Sequence, residues 1–548
     1  MKRKWIAGLL TAAMVSAALI GCGGNKEPVG TDTGTEVAGM KESAESSTAQ
    51  SADVSDLSGQ EEYVCKIVCV GDATSESCEK VAEAASEITM AKYNTRIELV
   101  RLSYGSFAEE VNLMLSSGEK LDLFPNFAFS TITAANTGQI LALDDLLPEY
   151  GKDILSVVPD TDWNCVSIGG QIYGVPNNKD KAEGFGLAMR TDMLEASGYD
   201  ISSIKTEKDL EGLFAAVKEK YPDSYPLVSD NGGMGYYNIT RDDLGGDFGW
   251  LENCLDDSEM TVVDWFETDT FKEIVQRRYD WAQMGYIMPD AATNTQNAYE
   301  LMAAGKGFSY FCNTKPGIEA EWSRKVGKDI TVVELVETYR TSASGMNTWY
   351  IAHNSEKPER AMQVLNEIYS NPDLSNILIN GIEGENFLID SERGVLTYPE
   401  GVDASNTTYS SVAWVWPNEL ITIPWEVDGA DIWKQTEEFN NNAKLSKAFG
   451  FVWDNSDVLN EITACNNVTA KYKNALDCGS LNPEEAVPKM VQELKDAGID
   501  TIIAEKQAQL DAWRHSSNHK RIEKGPEGKG CGKARFFPFR FSRRESGE

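Results

Sequence analysis

Aromatic rings flanked by amides and carboxylates are the side chains of this sequence best suited to do chemistry. The chain holds 13 Trp, 20 Tyr and 19 Phe. "MGYYNITRDD" sets Tyr236 and Tyr237 beside Asn238, and "GGDFGWLEN" carries Phe248 and Trp250. "SGMNTWY" sets Asn347 two residues before Trp349, and "SVAWVWPNEL" carries Trp414 and Trp416. A flat apolar ring stacks on the C–H face of a sugar, while neighbouring Asn, Asp, Glu and Arg satisfy its hydroxyls. Any one of these tryptophans also fits a core, because large rings are on average well buried. For the group, the expectation is that at least two line a cleft. Trp250 and Trp349 are expected to stack on different sugar units from opposite walls.

Catalytic signatures are sparse. His353 is the only histidine before residue 514, so neither a His-rich metal site nor an HExxH helix is present. No G-x-S-x-G elbow and no G-x-x-x-x-G-K-[ST] phosphate loop occurs. With 86 acidic residues, carboxylate pairing along the sequence carries no information about glycoside hydrolysis, which depends on a spatial separation. No catalytic residue, metal or cofactor is expected.

The elements that would position these residues read as α/β from Glu61 onward. "YVCKIVCVGD" is an apolar run ended by Gly71, and Val81, Ala84, Ala85, Ile88 and Ala91 follow at helical spacing. "TRIELVRL" is a strand, and "GSFAEEVNLMLSSGEKLDLF" reads as helix, Gly118 stop, strand. Alternation of this kind predicts parallel pairing with helices on the faces. Ligands then bind beyond the carboxyl ends of the strands, at "GDATS" with Asp72 and "FPNFAFS" with Asn126. A second α/β region follows "IGGQIYGVPNN", which supplies Asn177. Further on, "NTWYIAH" reads as a strand, and Pro358 suits the start of the next helix. Near the end, Gly498 is expected to close one helix and Asp500 to cap another.

At the amino end, "MKRK" and an apolar run from Trp5 to Ile20 read as an export signal. Its end, "LIGC", resembles a bacterial lipobox with Cys22 as the lipidated residue. Two or more acyl chains would anchor the protein durably, where one binds only marginally. Residues 23–60 have no aromatic residue and much Gly, Ser, Thr and acid, so they are expected to form a disordered tether. Its root-mean-square reach is roughly 35 Å. A net charge of −36 argues against nucleic acid as a partner of the folded body. Cys65 and Cys69 share one strand, which keeps them too far apart for a mutual disulfide, and buried thiols are expected. Residues 514–548 carry ten Lys/Arg against four Asp/Glu and stand out as an atypical basic tail.

Several stretches together resemble the extracellular solute-binding lipoproteins of ABC importers. "GGQIYGVP" with "LAMRTDMLEASGYD", "YELMAAGKGFSYF" and "SEKPERAMQVLNEIYSNP" look like segments of that family. "NGIEGENF", "FGFVWDNSDVLNEITACNNV" and "LKDAGIDTIIAEKQAQLDAW" resemble its aldouronate- or oligosaccharide-binding subgroup, which has an extra C-terminal domain. The resemblance implies a two-lobed periplasmic-binding-protein-like fold of type II, with crossing strands and a mainly helical C-terminal extension. It divides the chain into signal peptide 1–22, tether 23–60, lobe 1 over 61–172 completed by about 341–375, and lobe 2 over 173–340 completed by about 376–440. The helical part then covers 441–513 and the basic tail 514–548.

Implied with it are an oligosaccharide ligand, uronate-bearing sugars included, ABC permease subunits as partners, a monomer, and a place on the outer face of the cell membrane held by a palmitate-type anchor. Ligand contacts from both lobes would exist only in the closed form, so binding would shift a hinge equilibrium. The expected ligand-binding residues are Asp72, Asn126, Asn177, Arg190, Tyr237, Trp250, Asn347, Trp349, Glu383 and Trp416. Arg101, Arg190, Arg241 and Arg340 are the candidates to meet a uronate. A peptide receptor of the same fold, an anchored glycoside-active enzyme and an adhesion or sensory lipoprotein remain alternatives.

Overall fold

The structure is a computed structural model that describes residues 60–127, 130–256, 259–342 and 347–523, with side chains through residue 515. The signal, Cys22, nearly all of the tether and the tail beyond residue 523 lie outside the described residues.

Lobe 1 is built on a five-stranded sheet in the order Thr95–Leu102, Tyr63–Val70, Leu123–Pro125, Thr348–Ile351, Val175–Pro176. The first three strands pair in parallel, as the alternation of elements predicts. Thr348–Ile351 enters antiparallel between Leu123–Pro125 and Val175–Pro176, a long-range pairing with no local signal. Helix Ser75–Tyr93 follows its strand from a Thr74 cap, and helix Phe107–Ser117 stops at Gly118, whose φ of 74° is left-handed. Pro358 opens helix Pro358–Ser370.

Lobe 2 carries a second five-stranded sheet, ordered Lys444–Leu445, Ile330–Arg340, Glu183–Arg190, Gly307–Thr314, Tyr225–Leu227. Each lobe encloses its own apolar core. Leu374, Leu378, Tyr409, Val412, Val415 and Trp416 pack in the core of lobe 1, whereas the sequence reading sets residues from 376 onward in lobe 2.

The chain passes from lobe 1 to lobe 2 along residues 177–182 and is back in lobe 1 by Thr348, and helix Ile432–Asn442 leads it to lobe 2 again. At this crossing Asp162 is wholly buried and accepts from Lys181 Nζ at 2.8 Å and Arg340 Nη2 at 2.9 Å. Burial alone would raise the Asp162 carboxyl; the two cations outweigh it and hold it below its usual range. Asn440 clamps the same segment, accepting from the Lys181 and Ala182 amides and donating to the Lys179 carbonyl.

The C-terminal helices Leu459–Asp477, Pro483–Ala497 and Ile499–Glu523 share the core of lobe 2. Lys506 joins them to it most tightly. Its ammonium donates to the carbonyls of Asp243, Gly246, Phe248 and Gly249 at 2.5–3.4 Å and lies 4.0 Å from the Trp453 ring centroid. Gly498 closes the middle helix at φ 100°, and the last helix begins at Ile499, so Asp500 sits in its first turn and is not its cap. That helix runs past Trp513 to Glu523, so the first residues of the basic segment continue it.

Candidate functional site

A cavity of about 590 Å³ opens between the lobes, within the range of small-molecule sites. Lobe 1 contributes Asn380, Ser411, Ala413 and Trp414; lobe 2 contributes Lys315, Pro316, Gly317, Glu321 and Arg324. The third side is the segment Thr422–Thr436 with Tyr398, and Asp180 comes from the crossing.

Four rings, Tyr398, Trp414, Trp425 and Trp433, face this cavity, and the indole N–H groups of the last two are tied down. Trp414 is 36% exposed and is backed by Phe127 at 6.2 Å between centroids. The Trp425 indole N–H donates to Asn380 Oδ1 at 3.1 Å, and its ring lies 4.4 Å from that of Tyr398. Asn380 Oδ1 also accepts from Ser411 Oγ at 2.8 Å. The Trp433 N–H donates to the Thr422 carbonyl at 2.7 Å. With the Trp425 and Trp433 N–H groups bonded to the frame, a ligand meets the ring surface of these two.

The charged groups of the cavity other than Glu419 are paired. Lys315 lies 3.6 Å from Asp180 and 3.5 Å from Glu321, and Arg324 lies 3.3 Å from Asp428. Among the described residues Glu419 has no cation at ion-pair distance, and burial, reinforced by Asp180, pushes its carboxyl up to about 7. Burial also raises Asp428 against the pull of Arg324. At the crossing, burial pushes Glu183 up to about 7 although Arg241 opposes it.

Several expected site residues converge on the segment that carries Trp414. Asn177 Nδ2 and Asn347 Nδ2 both donate to the Trp414 carbonyl, at 2.8 and 3.0 Å. Asp72 is exposed, and its carbonyl accepts from the amide and hydroxyl of Ser410 at 3.0 and 2.7 Å. Asn126 donates its amide to the Thr348 carbonyl at 2.7 Å. Trp349 and Trp416 lie behind this wall with 0% exposure, stacked at 5.4 Å, and the Trp349 N–H donates to the Val415 carbonyl. The ligand-stacking role expected of these two rings is therefore corrected: no face of either is open. The short 3-10 turn Ala413–Val415 brings Trp414 out and leaves Trp416 in.

The remaining expectations scatter. Arg190 closes the opposite end of strand Glu183–Arg190, about 23 Å from Glu183, where it pairs with Asp192 and donates to the Met302 carbonyl. Tyr237 is buried with its hydroxyl on Asp477. Trp250 is buried and stacked on Trp265 at 4.8 Å, so it too is core and not a cleft wall. Glu383 is exposed in the turn after helix Pro372–Asn380. Arg101 lies over Tyr409, Arg241 over Trp250, and Arg340 on Asp162; none lines the cavity. Trp425, Trp433, Tyr398 and Arg324 line the cavity and are not among the residues the sequence points to. "PWEVDGADIW" shows the same mix of rings, acids and glycine as the stretches around Trp250 and Trp414, and nothing local sets it apart.

Two α/β lobes joined by crossing segments, with a ring-lined cavity between them, define a protein that holds a solute between its lobes. The chain belongs to the bacterial extracellular solute-binding protein family, whose model matches residues 83–381. Residues 447–515 match a domain of unknown function. A Streptococcus pneumoniae carbohydrate ABC transporter substrate-binding protein is 26% identical over 463 residues, covering 82% of this chain and 91% of that one. The crystal structure of the N-glycan transport solute binding protein from Streptococcus pneumoniae superposes with a TM-score of 0.72 at 24% identity, covering 82% of this chain and 99% of that chain. An HMO binding ABC-transporter associated solute binding protein from Bifidobacterium longum infantis gives 0.62 at 17% identity, covering 82% of this chain and 99% of that one. Among the described residues no helix is long and apolar enough to cross a membrane, and no group of three or more His, Cys, Asp or Glu is placed to hold a metal. The eight described cysteines are free thiols.

Proposed function

We propose that this protein is a lipid-anchored extracellular receptor that captures an oligosaccharide between its lobes and presents it to the permease of an ABC importer. The observation that carries the reading is the cavity between lobes lined by Trp414, Trp425, Trp433 and Tyr398, with amide and carboxyl groups interleaved. Rings of this kind stack on sugar faces. The carbohydrate and N-glycan proteins to which the chain is similar support the same class of ligand. Binding without turnover is expected, and the rotation that brings the walls together is the signal a permease would read.

A thermal-shift screen against oligosaccharides and peptides tests this. A ligand at 100 times its dissociation constant adds about 2.7 kcal/mol to stability. Stabilisation by oligosaccharides supports the reading, and stabilisation by peptides alone replaces it with the peptide-receptor alternative. The anchor is tested separately: Cys22→Ser is expected to release the protein from the membrane with ligand affinity unchanged. Acylation persisting in that variant, read by intact mass, would remove the lipobox reading.

A further inference from the structure

Resting on the reading of the cleft as an oligosaccharide site, we propose that it selects neutral glycans and discriminates against chains of uronates. The charges in and beside the cavity are the basis. Four carboxyl groups line it, Asp180, Glu321, Glu419 and Asp428, against two cations, Lys315 and Arg324. A third cation, Lys179, lies 5.8 Å over the Trp414 ring, but its ammonium is 2.8 Å from Asp180. Each cation that a ligand carboxylate could meet is thus already committed to a carboxylate of the protein. Taking one away would leave a part-buried protein carboxylate without its counter-ion, a cost set against any pair the ligand gains.

Helix ends point the same way. Asn380 brings the C-terminal end of helix Pro372–Asn380, its negative pole, to the cavity. Two helix N-termini also reach it, and these are the features that would favour an anion. Helix Ile318–Val326 carries Glu319 and Glu321 in its first turn, and helix Ile432–Asn442 starts from Asp431 with Asp428 just before it. Acids thus sit in the first turn of the first helix and at or just before the start of the second. Burial raises the carboxyls of Glu419 and Asp428, and Asp180 adds to the effect at Glu419. The arginines that the sequence offered for a uronate, Arg101, Arg190, Arg241 and Arg340, all point elsewhere. What the cavity presents to a ligand is ring surface and hydrogen-bonding groups that suit hydroxyls.

The test is calorimetric titration of the wild-type protein with matched pairs that differ only in oxidation at C6: β-1,4-mannotetraose against tetramannuronate, and cellotetraose against tetraglucuronate. The N-glycan fragment Man5GlcNAc serves as a further neutral probe. A neutral member is expected to bind, with its uronate partner at least tenfold weaker and the gap narrowing as salt is raised. Glu419→Gln and Asp428→Asn are each expected to narrow the gap without abolishing neutral binding. Uronates binding as tightly as their neutral partners would overturn the selectivity while leaving the oligosaccharide reading intact. Binding by none of these glycans, with peptides binding instead, would overturn that reading and the selectivity with it.

Discussion

Trp414 and Trp416 stand two residues apart and live in opposite environments. Trp416 is sealed against Trp349 in the core of lobe 1, whereas Trp414 is 36% exposed on the cavity between the lobes. The pair teaches that one segment can fasten a wall to its lobe and present that wall to a ligand. Trp416 and Trp349 form the fastening. Trp414, held at its carbonyl by Asn177 and Asn347, forms the surface.

The sharpest way to break this contrast is to truncate the buried ring. Trp416→Ala is expected to lower unfolding stability by about 3–5 kcal/mol, the range for a large core aromatic. Urea unfolding of the variant beside Trp414→Ala, which should lose far less, checks it; equal losses would erase the distinction. Next in size, Asn177→Ala is expected to cost about 1–3 kcal/mol, because the side chain is fully buried and its amide bonds the Trp414 carbonyl. Reduced amide hydrogen-exchange protection across residues 412–416 would localise the effect, and an unchanged pattern would deny Asn177 its role in holding the wall.

The smallest effect is one of pH. Glu419 is raised from 4.5 to about 7, so the folded state retains a proton between those values that the unfolded chain has released. The stabilising contribution is complete below about 4.5 and is lost as pH rises through 7. Asp242, raised from 3.8 to about 6 by burial, acts with the same sign. The lowered carboxyl of Asp162 acts oppositely only below about pH 4, and Lys506, lowered by burial to about 7, acts oppositely only as pH rises above that value. Melting temperature is therefore expected to be higher at pH 5 than at pH 8, and Glu419→Gln to flatten part of that slope. A slope unchanged in the variant would remove Glu419 as its source.

Much of the fold was legible because its signals are local. The strand at "YVCKIVCV", the Gly118 stop and the Pro358 start each follow from residue chemistry within one turn or strand. The insertion of Thr348–Ile351 into the first sheet depends on partners more than 150 residues away, and no periodicity records it. The site was legible by composition and not by residue. Rings with polar neighbours did mark the wall around Trp414, but a 3-10 turn decides which of two nearby tryptophans faces out. Trp250 shares that composition and is a core residue, because Trp265 and Arg241 cover its faces. Trp425 and Trp433 reach the cavity only through the tertiary path of residues 422–436.

Capture of a sugar by the cavity rings is tested most directly by calorimetric titration of wild-type, Trp414→Ala and Trp425→Ala proteins with a neutral oligosaccharide found to bind in the screen. Each truncation is expected to weaken binding by about 2 kcal/mol, roughly thirtyfold, as for aromatic anchors in desolvated pockets. Affinity unchanged in both variants, with both still folded, would contradict the assignment of this cavity as the binding site.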